Sequence, residues 1–173
     1  MRRVILGLLL STPFASHSAD WIVTGDASNT TFALDVESIR QKPGYLQFWS
    51  MLSYLDPKHP GPGGARIAIV LNHGNCDEET MGMAYYTSYS DFERTQIISS
   101  NSFSYVAMQP VIPDSTGATI LKLACGLETG EQWALTYVQN AHAAVSAVPE
   151  ASPTRKSTDD NSLQEAERAA GIR

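Results

Sequence analysis

The sequence predicts an α+β fold: an antiparallel β-sheet of about five to six strands, with a C-terminal helix packed on it and tied by a disulfide. Three observations carry that expectation. From Asp20 to about Tyr105 apolar residues recur with period two between turn residues, the pattern of strands. Beyond Pro113 they recur at helical spacing. The chain has two cysteines, Cys76 in the first region and Cys125 in the second.

The first element is not part of the fold. Met1-Arg2-Arg3 precedes the apolar run Val4 to Leu10, then Ser11, Thr12, Pro13 and small or polar residues through Ala19, the layout of a signal peptide over 1–19. That run is too short to span a hydrocarbon core, which takes about 20 residues. Cleavage is expected after Ala19, or after Ser18 because His17 is an awkward neighbour; the first leaves 154 residues (173 − 19), and no later stretch is apolar enough to span a bilayer. The domain is expected over 20–147.

Trp21 and Val23 alternate with Ile22 and Thr24, and Thr30, Phe32 and Leu34 resume the pattern after Gly25 to Asn29, which predicts a hairpin. Asp35 can cap a following turn, so Val36 to Arg40 reads as a short helical stretch ended by Pro43-Gly44. Tyr45 to Leu55 carries bulky residues on both faces and is expected to lie centrally, covered on both sides. Three prolines and three glycines between Asp56 and Gly64 break both helix and ladder, which predicts a solvent loop. Ile67, Ile69 and Leu71 mark the next strand. Met81, Met83, Tyr85, Thr87 and Tyr89 mark one face of another, and the short link Asn75 to Thr80 makes the two an antiparallel hairpin.

Pro110 and Pro113 bracket a turn, and Asp114-Ser115 reads as a helix cap. Ala118, Leu121 and Cys125 then share a helical stripe, so a bridge from Cys125 to Cys76 staples helix to sheet. In an oxidising compartment an even pair with nothing else to bind is structural, and a loop of 49 positions (125 − 76) gives it about 4 kcal/mol by chain entropy. Thr129 to Gln132 has the spacing of a capping box, with Trp133, Tyr137, Ala141 and Val145 following at helical intervals. From about 148 to 173 there is almost nothing to bury, which predicts a disordered tail.

The formal charge is −6, and loss of Arg2 and Arg3 takes it to −8 (−6 − 2), so nucleic acid and anionic lipid are poor partners. No nucleophile elbow, phosphate loop or spaced ligand set occurs, which predicts no catalytic residue, no metal and no cofactor. His73 and Cys76 are spaced to share an ion, but a stable site takes three or four ligands and the bridge uses the thiol. Asp77-Glu78-Glu79 lacks the glycine and spaced oxygens of a calcium loop and reads as a solvated turn. Trp49, Tyr85, Tyr86 and Tyr89 read as core, as aromatics in strands usually are. The Pro-Gly loop, with Lys58 and His59, is the better place for a partner.

Several landmarks recur together: the opening Trp21 strand, Asp35-Val36-Glu37-Ser38-Ile39, the strand Leu46 to Tyr54, Cys76 at a strand end, Tyr85-Tyr86, and Pro113-Asp114-Ser115 leading to Ala124-Cys125-Gly126. In these the chain resembles the surface-adhesin protein E family of small exported proteins of Gram-negative bacteria, over roughly 20–127. The resemblance implies an antiparallel sheet flanked by a disulfide-tied C-terminal helix. It also implies adhesion to extracellular-matrix proteins, after a lipid-anchored, cation-rich member. This chain departs on both counts, with no cysteine between Leu10 and Asp20 for a lipid and only Arg94 and Lys122 as basic residues between Cys76 and Cys125.

The expectation for function is therefore an exported, non-catalytic binding or envelope-interaction domain, periplasmic or secreted, soluble without a lipid anchor, with a protein partner. Two alternatives stand beside it. One is an accessory subunit of an envelope assembly docking through its C-terminal tail; the other is a small periplasmic hydrolase pairing Asp35 with His73.

Overall fold

A computed structural model of the chain describes residues 19–146. The expected signal peptide, apart from Ala19, and the whole of the expected tail lie outside them. Strands β1 (Trp21–Ala27), β2 (Thr30–Lys42), β3 (Tyr45–Tyr54), β4 (Ile67–Asn75), β5 (Thr80–Tyr89) and β6 (Ile97–Ser102) form an antiparallel sheet in chain order. A two-residue strand, β7 (Gln109–Pro110), pairs with β5 as the seventh. Helices α1 (Thr116–Thr129) and α2 (Gln132–Ser146) follow. Every neighbouring pair from β1 to β6 is joined by a chain reversal, so all of its ladders are local in sequence.

The apolar face is built from alternate residues. Leu34 on β2 and Leu46 and Phe48 on β3 are almost wholly buried against Ile120, Leu121, Leu123 and Ala124 of α1, with Ala134 of α2 completing the cluster. Ser115 caps α1, its hydroxyl accepting from the Ala118 N–H at 3.2 Å. The helix stops at Gly130, whose left-handed backbone (φ 72) turns its N–H onto the carbonyls of Gly126 and Leu127. Cys76, just past β4, is joined to Cys125 on α1 with a Cα–Cα distance of 5.9 Å, so the bridge does fasten helix to sheet.

The structure corrects four readings. Val36 to Arg40 is strand, with an irregularity between Asp35 and Arg40. Asp35 caps no helix: its carboxylate accepts the Asp20 N–H at 3.0 Å, and the Ser38 hydroxyl accepts the Trp49 N–H at 2.9 Å, standing in for a lost ladder bond. Second, β3 is central but covered by α1 on its Leu46–Phe48 face alone, so Trp49 and Met51 on the other face are only half-buried. Third, Met81 and Met83 do not share a face with Tyr85, because a register shift between Leu71 and Asn72 leaves Ala84 unmatched and reverses the alternation. Fourth, Thr129 is the last residue of α1 rather than a cap for α2, its hydroxyl donating to the Cys125 carbonyl at 3.0 Å. On α2 only Ala134 is buried, while Trp133, Tyr137 and Val145 are exposed.

Candidate binding surface

The loop between β3 and β4 is held from within. Asp56 organises its first half: one carboxylate oxygen accepts the Lys58 N–H at 2.8 Å and the other lies 2.7 Å from His59 Nδ1. The hydrogen bond to His59, then that to the Lys58 amide, holds the Asp56 carboxyl below its ordinary value of 3.8. Proline and glycine do allow one short element here, a 3₁₀ turn over Pro62–Gly64, closed by a bridge between Gly61 and Ala65. Gly61 lies so close to the Tyr54 ring that any Cβ would sit 2.3 Å from it, which fixes the loop against the end of β3. At the far end Arg66 donates to the Leu55 carbonyl at 2.9 Å and spreads its guanidinium 4.6 Å over the Phe92 ring. The tip therefore presents an exposed Lys58 ammonium and a His59 side chain 80% exposed on a turn that does not depend on the core. Such a pair can meet a carboxylate or carbonyl on another surface.

Asp35 and His73 are not brought together. They lie on β2 and β4 with β3 between them, about 10 Å across the sheet by ordinary strand spacing. The register puts Trp49 opposite Asp35 and Gln47 opposite His73. Asp35 is buried, which pushes its carboxyl above 3.8 against the pull of its backbone hydrogen bonds. His73 stacks on Tyr45 with ring centroids 4.0 Å apart and lies 3.4 Å from Gln47 Nε2. Burial lowers its pKa from 6.5, so the imidazole is neutral at physiological pH. The hydrolase pairing has no geometric basis.

Among the described residues, no three His, Cys, Asp or Glu side chains converge as a metal site would require. Asp77, Glu78 and Glu79 are exposed in the β4–β5 turn, where the Asn75 side chain accepts the N–H groups of Asp77 and Glu78 at 3.0 Å each. His142, solitary in sequence, lies 3.0 Å from an Asp20 carboxylate oxygen 122 positions away.

Sequence reasoning missed a cavity of about 340 Å³ beside the disulfide. Val111 and Leu121 line it together with Lys122, Glu131 and Trp133. The Trp133 indole N–H donates to the Glu131 carboxylate, and Lys122 Nζ sits 5.5 Å above the indole ring. These residues are drawn from both helices, the link between them and the segment before them, and no spacing along the chain announces them. Trp49 and Tyr85, expected in the core, are not part of it. They meet edge to face, with centroids 5.9 Å apart, half-buried on the sheet face opposite α1.

The sequence pattern of the family described as surface-adhesin protein E matches residues 21–126. Solved structures with a similar chain path include protein E from non-typeable Haemophilus influenzae, 15% identical over 77% of this chain and 95% of that one, with a TM-score of 0.48. A second crystal form of Haemophilus influenzae protein E is 19% identical over 69% of this chain and 97% of that one, with a TM-score of 0.45. Comparison with curated proteins finds no match.

Proposed function

The chain belongs to the surface-adhesin protein E family, and from that premise we propose that it is an exported, non-catalytic binding domain that captures a protein partner through the loop carrying Lys58 and His59. The observation that carries this reading is the construction of the loop. Its turn is closed by Asp56, Gly61 and Arg66, and both cationic or titratable tips face solvent. A surface that keeps its shape without core support loses little entropy on binding and is free to vary in sequence.

The family supports export, and among the described residues no helix is long and apolar enough to cross a membrane. The mature chain begins at Asp20 or Ala19, carries no acyl group and works in the periplasm or outside the cell. Intact mass spectrometry of protein released by osmotic shock checks the boundary. A mass that retains 1–19, or recovery only in detergent, defeats it.

Binding is tested by surface plasmon resonance with the full chain against extracellular-matrix proteins and a fractionated envelope extract. The double variant Lys58→Ala/His59→Ala is expected to lose affinity with an unchanged melting temperature. Affinity retained in that variant but lost on deleting 149–173 would move the binding role to the tail and favour an accessory subunit of an envelope assembly.

A further inference from the structure

The residue at the expected signal-peptide boundary is fastened from several sides. The Asp20 N–H donates to Asp35 Oδ1 at 3.0 Å, and the Asp20 carbonyl accepts the Val36 N–H at 3.0 Å. Its carboxylate lies 3.0 Å from His142 Nε2 on α2. None of these bonds uses Ala19, which is exposed. Asp20 therefore keeps its place whether or not a residue precedes it.

The acceptor of the Asp20 N–H is a carboxylate without a countercharge. Asp35 is 7% exposed, and the charges that act on it are themselves carboxylates, Asp20 just before β1 and Glu37 on its own strand. Trp49 stands opposite it on β3, and α1 turns Lys122 to the Trp133 ring. Among the described residues no lysine or arginine side chain forms an ion pair with it. Burial of such a group is costly unless a charge of opposite sign is supplied. The Asp20 and Glu37 N–H groups offset part of that cost as neutral donors.

We propose that Asp35 is the seat of the chain's own new N-terminus: hydrolysis of the Ala19–Asp20 bond by a signal peptidase leaves an α-ammonium on Asp20 that forms an ion pair with the Asp35 carboxylate. Water gives its hydroxyl to the Ala19 carbonyl carbon and a proton to the Asp20 nitrogen; the new Ala19 carboxyl loses a proton and the amine takes one up. The nitrogen is the same atom before and after the cut, already at hydrogen-bonding distance, so only its charge and its protons change. A neutral amide donor becomes a charged one, and a hydrogen bond of that kind is about twice as strong. This rests on the reading of the chain as exported and goes beyond it, fixing the start at Asp20 and giving the cut a structural effect. A precursor left whole, or one cut after Ser18, keeps an amide at Asp20 and folds without the pair. The added stability then arrives only after translocation. The sign of its pH dependence is set by the amine. The carboxylate raises the amine above its ordinary value of about 8, so the contribution is whole below that value and is lost as pH rises through the folded one.

N-terminal sequencing of protein released by osmotic shock gives the start, with Asp20 expected. A chain that keeps 1–19 defeats the export reading and the proposal together, whereas one that starts at Ala19 defeats the proposal alone. Two chains are then compared, one starting at Asp20 and one at Ala19, each freed from a carrier by a site-specific protease. The Asp20 chain is expected to melt at least about 3 °C higher at pH 7, and the gap should narrow at least threefold by about pH 10. Asp35→Asn keeps an oxygen for the Asp20 nitrogen and loses the charge, so the two starts should then melt together. By nitrogen NMR the Asp20 amine should hold its proton at least tenfold more tightly than the same amine in Asp35→Asn. Should that variant fail to fold, acetylation of the α-amine of the Asp20 chain is the second arm and should bring its melting temperature down to that of the Ala19 chain. Equal melting of the two starts overturns the proposal. So does a gap that survives in Asp35→Asn or after acetylation, or one that is unchanged at pH 10.

Discussion

The two ends of the sheet are built by different rules. Toward β1, β2 and β3 the helix α1 lies on the sheet, and Leu34, Phe48 and Ala124 have no measurable exposure. The disulfide and the Ser115 cap hold that helix in place. Toward β6 and the 56–66 loop, order comes from polar turns. Asp56 closes one turn; Asp91 closes the other, accepting the N–H groups of Thr95 and Gln96 at 3.0 and 3.2 Å. This domain separates what keeps it folded from what it leaves exposed. Apolar burial stabilises one end, and short-range hydrogen bonds shape the other while leaving it exposed.

The sharpest break of that comparison is a cavity at the stabilised end. Phe48→Ala removes a ring with 0% exposure from between the sheet and α1, and should cost about 3 to 5 kcal/mol in denaturant unfolding. A loss below about 1 kcal/mol would mean that α1 contributes little to stability. Cys125→Ser comes next, at about 2 to 5 kcal/mol. Alkylation of the denatured, unreduced protein should find no free thiol, and two labelled cysteines would show that Cys76 and Cys125 are not joined. Ser115→Ala leaves the Ala118 N–H without its acceptor and should cost about 1 kcal/mol. Each of these should leave the shape of the 56–66 loop unchanged at temperatures where the chain stays folded.

A pH dependence refines the same division, because His73 lies on the sheet between the two ends. Its folded pKa is depressed from 6.5 by burial. Above pH 6.5 both states are neutral and the full stability is present. As pH falls through 6.5 the unfolded chain takes up the proton first, so stability drops until the folded pKa is passed. His73→Gln should flatten that part of the stability curve. An unchanged slope would show that the imidazole is not desolvated.

The outline of both ends was legible in the sequence, and their local departures from the period were not. Period-two alternation located the strands, and the two cysteines gave the staple, because burial leaves a repeating mark on one face. The errors sit where polar groups override the period. Ser38 fills a gap in the β2–β3 ladder, so Asp35-Val36-Glu37-Ser38 imitates a capped helix. One unmatched residue, Ala84, swaps the faces of β5. The cavity around Trp133 joins residues that no spacing connects. Composition alone points to Lys58 and His59; the Asp56 bonds that give the loop its shape leave no pattern in the sequence.

The smallest expected effect tests the open end most directly. Lys58→Ala with His59→Ala removes two exposed side chains from a turn whose remaining bonds, Lys58 N–H to the Asp56 carboxylate and the Gly61–Ala65 bridge, are donated by backbone N–H groups that alanine keeps. Surface changes of this kind fall within about 0.5 kcal/mol of the parent. The local chemistry should still change. Without the imidazole, the Asp56 carboxyl loses the largest cause of its depressed pKa and should titrate closer to 3.8, readable by carboxyl-carbon NMR. A single His59→Ala should produce that movement and Lys58→Ala should not, since the lysine's share is an amide that alanine keeps. If instead the double variant melts several degrees lower, the loop is part of what holds the fold, and the separation of the two ends fails at its weakest point.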